Sequence, residues 1–349
     1  MYEPWEVQTK SGGPYKVFTP FWRACSQLPA PSRPVRAPTQ IPAPGAWPES
    51  CELEALHCLP TVDWAAGMRE AWQPGEAGAH TRLKSFLDRA IDDYQDQRDR
   101  PDISGTSRLS PHLHFGEISP RRVWHAVNDR IRSHQSKAYQ SSANEFLRQL
   151  FWREFAYHLI YHFPHTSDEP LRPQFQRFPW DKNDAALKAW QRGRTGYPIV
   201  DAGMRELWHT GWMHNRVRMI VASFLVKDLL LNWRHGAEWF WDTLVDADLA
   251  NNTLGWQWAG GCGADAAPYF RVFNPVLQGR KFDPEGRYVR RWIPELAKLD
   301  SRWVHEPWNA KPEDLQAAGI ELGRDYPRPI VDHSQARDRA LEAFQTLKQ

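Results

Sequence analysis

The sequence has little of several features that define whole classes of protein. It has only four cysteines, at Cys25, Cys51, Cys58 and Cys262. No two of them form a CxxC pair, which disfavours a disulfide framework, a zinc knuckle and an iron–sulfur cluster. A run of about 18 apolar residues is absent, as is a basic start followed by an apolar stretch. From these absences we expect neither a membrane span nor a signal peptide, and we expect a protein of the reducing cytoplasm.

Net charge is also small. The 44 lysines and arginines nearly balance 42 aspartates and glutamates, leaving a formal charge of +2. Any nucleic-acid binding must therefore come from a local patch. Residues 270–292 hold six cationic side chains against two acidic ones, interleaved with aromatic residues. This pattern suits a phosphate backbone with stacked bases, although an ordinary solvated surface accounts for the charge equally well.

Tryptophan, by contrast, is abundant. The chain has 19 tryptophans, more than its 16 phenylalanines or 10 tyrosines. Large aromatic side chains can simply fill a core, but this number favours a function that depends on indole rings.

Proline divides the chain. Eleven of the 28 prolines lie in residues 1–60, and seven of them lie between Pro29 and Pro48. Proline removes a backbone donor and fixes φ, so we interpret residues 26–60 as a Pro-rich linker. Residues 1–25 are too few to bury a core alone. From about Trp64 onward, amphipathic stretches recur with few strand-like runs, and an all-α domain is predicted over residues 61–349.

Three stretches of this domain show helical periodicity. One apolar stripe has residues at intervals of three and four: Phe146, Leu150, Phe151, Phe155 and Leu159. A second helix is predicted to direct five residues to one side: Ile199, Val200, Met204, Leu207 and Trp208. The segment 213–233 is the most apolar and is predicted to be a central helix.

Two segments carry residues suited to chemistry. Thr106, Ser107, Arg108 and Ser110 could present hydroxyls and a cation to a phosphate, or could form an ordinary helix N-cap. Nearby, His112, His114 and Glu117 are weak grounds for a metal, and no metal site is predicted.

The second segment, DADLANN, contains two close carboxylates. Asp246 and Asp248 could be an acid/base pair, a metal site, acceptors for a ligand, or a solvated helix cap. The Gly- and Trp-rich sequence that follows favours a flat ligand approached closely by backbone. Upstream, Asn215 and Met219 are four residues apart and are predicted to share a helix face, whereas Arg216 and Arg218 point to different sides.

Six blocks together resemble the cryptochrome/photolyase family. They occur here in the family's order: TSRLSP, WREF, GRTGYPIVDAGMRELW, TGWMHNRVRM, DADLANN and FNPVLQG. The likeness covers nearly the whole chain. It implies an all-helical domain that binds FAD, with a pocket for damaged DNA, and it identifies residues 1–25 with the C-terminal remnant of an α/β antenna domain that is otherwise absent from this chain.

The resemblance implies roles for individual residues. Those expected to bind FAD are Tyr94, Thr106, Ser107, Arg108, Leu109, Ser110, Phe146, Gln149, Arg153, Asn215, Arg218, Asp246, Asp248 and Asn252. Those expected to face DNA are Arg98, Gln149, Trp152, Arg153, Asn215, Arg216, Met219, Trp258, Arg271 and Gln278. Trp152 and Trp258 would wall the lesion pocket. Trp180, Trp233 and Trp256 match a chain of indoles that passes electrons inward, and Asn252 lies opposite the redox nitrogen of the flavin.

Three residues indicate the branch of the family. Met219 stands where (6-4) photolyases carry a catalytic histidine, and Asn252 and Trp152 are photolyase residues. We therefore expect a monomeric deoxyribodipyrimidine photolyase that splits cyclobutane pyrimidine dimers in DNA by electron transfer from photoexcited reduced FAD. A blue-light photoreceptor that binds FAD without repair is the alternative. Gln149 departs from the pattern, because many photolyases for this lesion have Glu there.

Overall fold

The chain folds as a set of packed helices. The structure, a computed structural model, describes residues 1–266, 268–269 and 271–348. Within these ranges there is no β-strand, only the isolated bridges Asp181–Leu231 and Leu322–Tyr326. The all-α prediction is confirmed.

The described residues form sixteen α-helices. The first eight are α1 (Phe18–Gln27), α2 (Ala66–Ala71), α3 (Glu76–Arg89), α4 (Tyr94–Gln97), α5 (Ser110–His114), α6 (Pro120–Ser133), α7 (Lys137–His162) and α8 (Asp184–Gln191). The others are α9 (Pro198–Thr210), α10 (Asn215–Ser223), α11 (Trp233–Thr243), α12 (Leu249–Gly260), α13 (Pro275–Phe282), α14 (Arg287–Trp292), α15 (Pro312–Ala318) and α16 (His333–Gln345). Short 3₁₀ turns occur at Leu53–Leu56, Pro164–Ser167, Pro173–Arg177, Pro294–Leu296, Pro307–Asn309 and Thr346–Lys348.

Helix α7 is the longest element, with 26 residues. At about 1.5 Å per residue it extends roughly 39 Å. Its N-cap, Ser136, accepts a hydrogen bond from the Tyr139 backbone N–H. The apolar stripe predicted for this segment is confirmed, since all five of its members are buried. The helix packs against α1, α4, α6 and α12, so it connects most of the molecule.

The largest core forms around α9 and α10. The predicted central helix exists but is not continuous, because α10 ends at Ser223 and a π-helical turn follows over Phe224–Asp228. The inward face predicted for α9 is correct at four positions and wrong at Trp208, which is 64% exposed. Trp208 follows Leu207, and successive helical residues diverge by about 100°. Its ring stacks instead on Trp239 at 6.0 Å between centroids.

The N-terminal residues pack on this helical body. Helix α1 buries Phe18, Phe21 and Cys25 against Phe151 and Phe155 of α7. The segment 1–25 thereby shares the core of the helical domain. Cys262, after α12, is buried as well.

Within the predicted linker, residues 26–60, the described residues 28–52 contain no helix, as the density of prolines predicts. Helix α1, however, extends to Gln27, and a 3₁₀ turn covers Leu53–Leu56. The segment contacts helix α6 near its start, where His125 Nε2 lies 2.8 Å from the Pro31 carbonyl oxygen. Farther along, Cys51 and Cys58 are exposed. In the part of the chain that the structure describes, no helix has both the length and the apolar character needed to cross a membrane.

Candidate functional site

Three predicted residues converge on the indole of Trp212, between α9 and α10. The Arg108 guanidinium lies 4.3 Å from the Trp212 ring centroid, and that of Arg218 lies 5.9 Å from it. The indole Nε1 donates to Ser110 Oγ at 3.4 Å. Trp212 was not predicted as a site residue, because the sequence showed only that it precedes the MHNRVRM block. We call Arg108, Trp212, Arg218 and Asp246 the inner cluster.

The backbone at Arg108 is unusual. Its φ of +51° is left-handed, a conformation that costs energy for a residue with a side chain and that concentrates at ligand sites. The helix N-cap here is Leu109, whose apolar side chain cannot accept a hydrogen bond. The capping interpretation holds only in part, because the Ser107 hydroxyl accepts a hydrogen bond from the Leu109 N–H at 3.4 Å. Thr106 and Ser107 are partly exposed, and Ser110 is exposed.

A buried carboxylate supports Arg108. Glu206 of α9 lies 3.5 Å from the Arg108 guanidinium and accepts a hydrogen bond from the Tyr288 hydroxyl at 2.7 Å. Burial raises the pKa of Glu206 and lowers the pKa of Arg108. Glu206 and Tyr288 lie far from Arg108 in sequence, so no local pattern could reveal this contact.

Arg218 and Asp246 form a second buried pair. One guanidinium nitrogen donates to both carboxylate oxygens, at 2.8 and 3.0 Å, and Nε donates to the Met213 carbonyl at 2.8 Å. The Asp246 side chain is 3% exposed. A carboxylate so deeply buried requires a cationic partner, because an unpaired charge there is costly.

Asp248 is the N-cap of α12 and accepts from the Asn251 backbone N–H at 2.8 Å. The cap is buried rather than solvated. It also accepts a hydrogen bond from the Tyr157 hydroxyl at 2.5 Å, and Arg153 in turn donates to Tyr157. Burial raises the pKa of Asp248, but the hydrogen bonds from Tyr157 and Asn251 outweigh burial and hold it below its ordinary value. Tyr157 lies four residues after Arg153, a spacing that could have revealed it.

Other residues expected at the flavin lie deeper or on neighbouring helices. The Asn252 side-chain amide donates to the Ala237 carbonyl at 2.9 Å, which fixes it between α12 and α11. Tyr94 and Phe146 are buried and contact each other edge to face at 5.3 Å. Leu109 is buried too.

Where the end of α4 meets α7 lies a partly buried group that we call the entrance cluster: Arg98, Glu145 and Gln149. Arg98 forms an ion pair with Glu145 and donates to Gln149 Oε1 at 3.3 Å. Glu145 was not predicted, although it lies one helical turn before Gln149. Farther along α7, the Trp152 ring stacks on Phe18 at 3.7 Å. Trp258 is partly buried against the largest core.

Two predicted residues of helix α10, Asn215 and Met219, lie on one face, whereas a third, Arg216, makes contacts elsewhere. Asn215 is exposed, and its Nδ2 lies 3.9 Å from the sulfur of Met219, as their spacing predicts. Arg216 instead forms an ion pair with Asp99 at 2.7 Å and covers the Phe282 ring at 4.4 Å.

The cations of the basic segment 270–292 differ in exposure and in their partners. Arg271 is exposed and Gln278 is partly buried. Arg280, however, pairs with Glu306, and Arg290 donates to the carbonyl of Leu299. Tyr288 is 1% exposed, so this aromatic residue of the segment is not available to stack on bases.

The three indoles of the expected electron chain border one core. Trp256 is buried and contacts Phe240 at 5.0 Å. A Cβ on Gly236 would lie 2.0 Å from the Trp256 ring, so this glycine makes room for the indole. Trp233 is 2% exposed, and Trp180 is partly buried with its ring 4.4 Å from Phe178. A hydrogen bond from Asp181 N to the Leu230 carbonyl, at 2.9 Å, joins the segments that carry Trp180 and Trp233.

The two histidines of the 105–120 segment have separate surroundings. His112 Nδ1 lies 2.5 Å from Glu117, whose other oxygen accepts from the Gly75 N–H. His114 lies 3.7 Å from Asp248. Among the described residues, no group of three or more His, Cys, Asp or Glu side chains could hold a metal ion.

Comparisons with known proteins place this geometry in a family. Residues 146–346 match the model of the FAD binding domain of DNA photolyase, and residues 1–43 match the model described as DNA photolyase. The chain therefore belongs to the photolyase/cryptochrome family and carries its FAD-binding domain. Both the family and the FAD cofactor predicted from the resemblance are confirmed.

Individual relatives include both branches of the family. The chain is 52% identical to a deoxyribodipyrimidine photo-lyase of Agrobacterium fabrum, over all of this chain and 72% of that protein. It is 42% identical to cryptochrome-1 of Arabidopsis thaliana, over all of this chain and 52% of that protein. A crystal structure of a bacterial class III photolyase from Agrobacterium tumefaciens superposes with a TM-score of 0.95 at 51% identity, over 99% of this chain and 71% of that one. The photolyase relatives support the predicted enzyme class.

The residues of the inner cluster fit FAD. Its diphosphate requires cations, and Arg108 and Arg218 are partly buried around Trp212. His214, whose ring lies 6.2 Å from that of Trp212, has a buried Nε2 without a hydrogen-bond partner among the described residues. Burial lowers the pKa of His214 to about 4, so the ring is neutral at pH 7. A neutral, unpartnered nitrogen beside two guanidiniums suits a polar ligand.

Proposed function

We propose that this protein is a light-dependent deoxyribodipyrimidine photolyase that splits cyclobutane pyrimidine dimers in DNA. One observation carries the proposal: helix α7 holds residues assigned to both sites within eight positions. Phe146 is assigned to FAD, Trp152 to the damaged base, and Gln149 and Arg153 to both. Over about 10 Å of one rigid helix, cofactor and substrate would be held at a fixed separation.

The inner cluster would hold the cofactor. When bound and reduced, FAD supplies the photoexcited electron for the repair reaction. Arg108 and Arg218 would neutralise its anionic groups, while Asp246 and Asn252 would hydrogen-bond its polar edges. The Arg218–Asp246 pair would keep these groups in place without reorganisation on binding.

The entrance cluster and its neighbours would bind DNA. A damaged pyrimidine inside a duplex must be swung out of the stack before it can be reached, and a lesion stacks less well than a normal base. Trp152 and Trp258 would receive the extruded dimer between aromatic faces. Arg98 and Arg271 would contact phosphates, which position the strand without reading its sequence.

The buried indoles have a separate task. We assign Trp180, Trp233 and Trp256 to carrying electrons inward from the surface, with the partly exposed Trp180 as the outermost member. We further propose that the protein acts as a cytoplasmic monomer, which light scattering during gel filtration would test.

The decisive experiment is repair itself. The purified chain is loaded with FAD, reduced, and mixed with an oligothymidine that contains cyclobutane dimers. Splitting restores the conjugated bases, so ultraviolet absorbance should rise under blue light and stay constant in darkness. A constant signal under blue light, from protein with a flavin spectrum, would contradict the proposal.

A second candidate function is that of a flavin photoreceptor without repair activity. The full-chain likeness to Arabidopsis cryptochrome-1, at 42% identity, favours it. Bound flavin that is reduced by light, together with no splitting of dimers, would support this alternative. Protein that binds no flavin would contradict both functions.

A further inference from the structure

We propose that Glu145 is a positioning residue for lesion recognition, which fixes the Gln149 amide so that its carbonyl oxygen is presented on the DNA side of the site. The inference rests on the proposed function, because it takes Gln149 to contact the damaged pyrimidine. It concerns a residue that the sequence motifs did not single out, and it explains how an amide can serve at this position.

The entrance cluster forms a closed triangle. Glu145 and Gln149 are four residues apart on α7 and therefore share a face. Gln149 Nε2 donates to the Glu145 backbone carbonyl at 3.0 Å and to the Glu145 carboxylate at 3.2 Å. The carboxylate is paired with Arg98, and Arg98 Nη2 donates back to Gln149 Oε1 at 3.3 Å.

Chemistry fixes the direction of the amide in this triangle. A guanidinium carries donors and no acceptor, so the Gln149 atom that faces Arg98 must be the oxygen. A carbonyl and a carboxylate only accept, so the atom that faces Glu145 must be the nitrogen. A flipped amide would place donor against donor and acceptor against acceptor.

This arrangement determines what Gln149 can offer to a ligand. Both hydrogens of its NH₂ group are directed at Glu145, whereas its oxygen retains a second lone pair. The group presented to a base is therefore an acceptor. In a dimer of thymine or uracil, the imide N3–H is a donor that such an oxygen can bind. Without Glu145 the amide would be free to rotate, and the acceptor would no longer be held ready.

Glu145 also changes the local charge. Its carboxylate lies between Arg98 and Arg148, whose Nη1 is 3.7 Å from Oε2, and its side chain is 28% exposed. Removing this carboxylate leaves two guanidiniums without their anion. Affinity for any DNA should then stay the same or increase, while preference for the lesion should fall. These opposite effects separate a positioning role from a purely structural or electrostatic one.

The test measures DNA binding in darkness, with the full chain loaded with FAD. The two probes are an oligothymidine with one cyclobutane dimer and the same strand undamaged. For Glu145→Ala we expect the ratio of the two Kd values to fall about tenfold, the size of one well-placed hydrogen bond, with no loss of affinity for undamaged DNA. Glu238→Ala, which removes an exposed carboxylate from α11, is the matched control and should preserve the ratio.

Each result decides the inference. An unchanged ratio in Glu145→Ala, or an equal loss of affinity for both probes, would overturn it. A thermal unfolding midpoint close to that of the parent shows that the variant is folded. If the parent itself does not prefer the dimer, the proposed function fails and the inference fails with it, whereas a parent that prefers the dimer isolates the role of Glu145.

An exchange of the two side chains provides an independent test. Gln149→Glu alone places a second carboxylate beside Glu145, and like charges at this distance disfavour joint ionisation. Preference for the dimer should therefore fall. The double variant Glu145→Gln/Gln149→Glu restores one carboxylate and one amide, and should regain most of the preference. A double variant no better than Gln149→Glu would overturn the inference.

Discussion

The inner cluster and the entrance cluster use the same chemistry, an arginine paired with a carboxylate, in two different environments. At the inner cluster, the Asp246 side chain is 3% exposed and its pair with Arg218 is reinforced by the Met213 carbonyl. At the entrance cluster, the Glu145 side chain is 28% exposed. The two arginines are equally exposed, at 24% for Arg218 and 23% for Arg98, so the difference lies in the carboxylates. Removing the partner of a buried carboxylate is costly, whereas an ion pair of a partly exposed one is worth less. The first pair can therefore fix a cofactor, and the second can orient Gln149 without contributing much to stability.

Ion pairing also explains how a nearly neutral chain can hold cations on the proposed DNA side. Cations on the proposed DNA side are held locally by acids, as in the pairs Arg98–Glu145 and Arg216–Asp99. A formal charge of +2 for the whole chain conceals them. Net charge alone is thus a poor guide to nucleic-acid binding when cations are paired with nearby acids.

The largest expected effect is at the inner cluster. Arg218→Ala leaves Asp246 buried without its cation, which should lower the free energy of unfolding by about 3–5 kcal/mol. It should also abolish flavin binding. Urea unfolding and the flavin absorbance per chain after gel filtration measure both. Arg98→Ala in the entrance cluster is the comparison, with an expected loss of about 1 kcal/mol or less. Equal losses in the two variants would show that the clusters do not differ.

The next largest expected effect concerns the transfer of electrons to FAD at the inner cluster. Trp256→Phe keeps an aromatic ring beside Phe240 but raises the cost of oxidising it. We expect light-driven reduction of bound FAD to slow by about tenfold or more, equivalent to about 1.4 kcal/mol in the barrier. Repair by chemically reduced protein should change less than photoreduction does. Transient absorption follows the first rate, with Trp208→Phe at the surface as control. Equal photoreduction in parent and variant would remove Trp256 from the route.

A smaller effect is expected from Arg271 on the proposed DNA side. Arg271→Ala should weaken binding of damaged and undamaged strands by a similar, few-fold factor, because a phosphate contact carries no lesion preference. The slope of log affinity against log salt should fall by about one unit. Salt-dependent titrations measure both quantities. Arg302→Ala, an exposed arginine paired with Asp300, is the control. Unchanged affinity at low salt would remove Arg271 from the interface.

The smallest expected effect concerns Asp248, the buried N-cap of α12. Tyr157→Phe removes one hydrogen bond to Asp248 and should cost about 1 kcal/mol at neutral pH. The pKa of Asp248 is held below its ordinary value of 3.8 by this bond, so the stability it confers is present above that value and is lost as pH falls through the lowered pKa. Parent and variant should therefore converge in acid. Urea unfolding near pH 7 and near pH 3 would show this, and a constant difference would contradict it.

Local patterns predicted the helices, because the stripe in α7 and the apolar segment at α10 depend on spacing along the chain. The orientation of Trp208 and the π-helical turn depend on neighbours, and spacing could not predict them. In the inner cluster, residue types singled out Arg108 and Asp246, and the resemblance alone implied their role in FAD binding. Trp212 and the supporting Glu206 escaped because they contact Arg108 across about a hundred residues of sequence. Glu145 and Tyr157 escaped despite helical spacing, since neither belongs to a recognised motif.

The placement of the cysteines makes the chain a convenient object for site-specific labelling. Burial raises the pKa of Cys25 and of Cys262 to about 12, so neither thiol forms a reactive thiolate at neutral pH. Cys51 and Cys58 are exposed in the Pro-rich segment and its continuation. Replacing one of these two by serine would leave a single accessible thiol, so a maleimide dye would attach at one position outside the helical body. Fluorescence from that position could report on the segment while the sites on α7 remain chemically untouched.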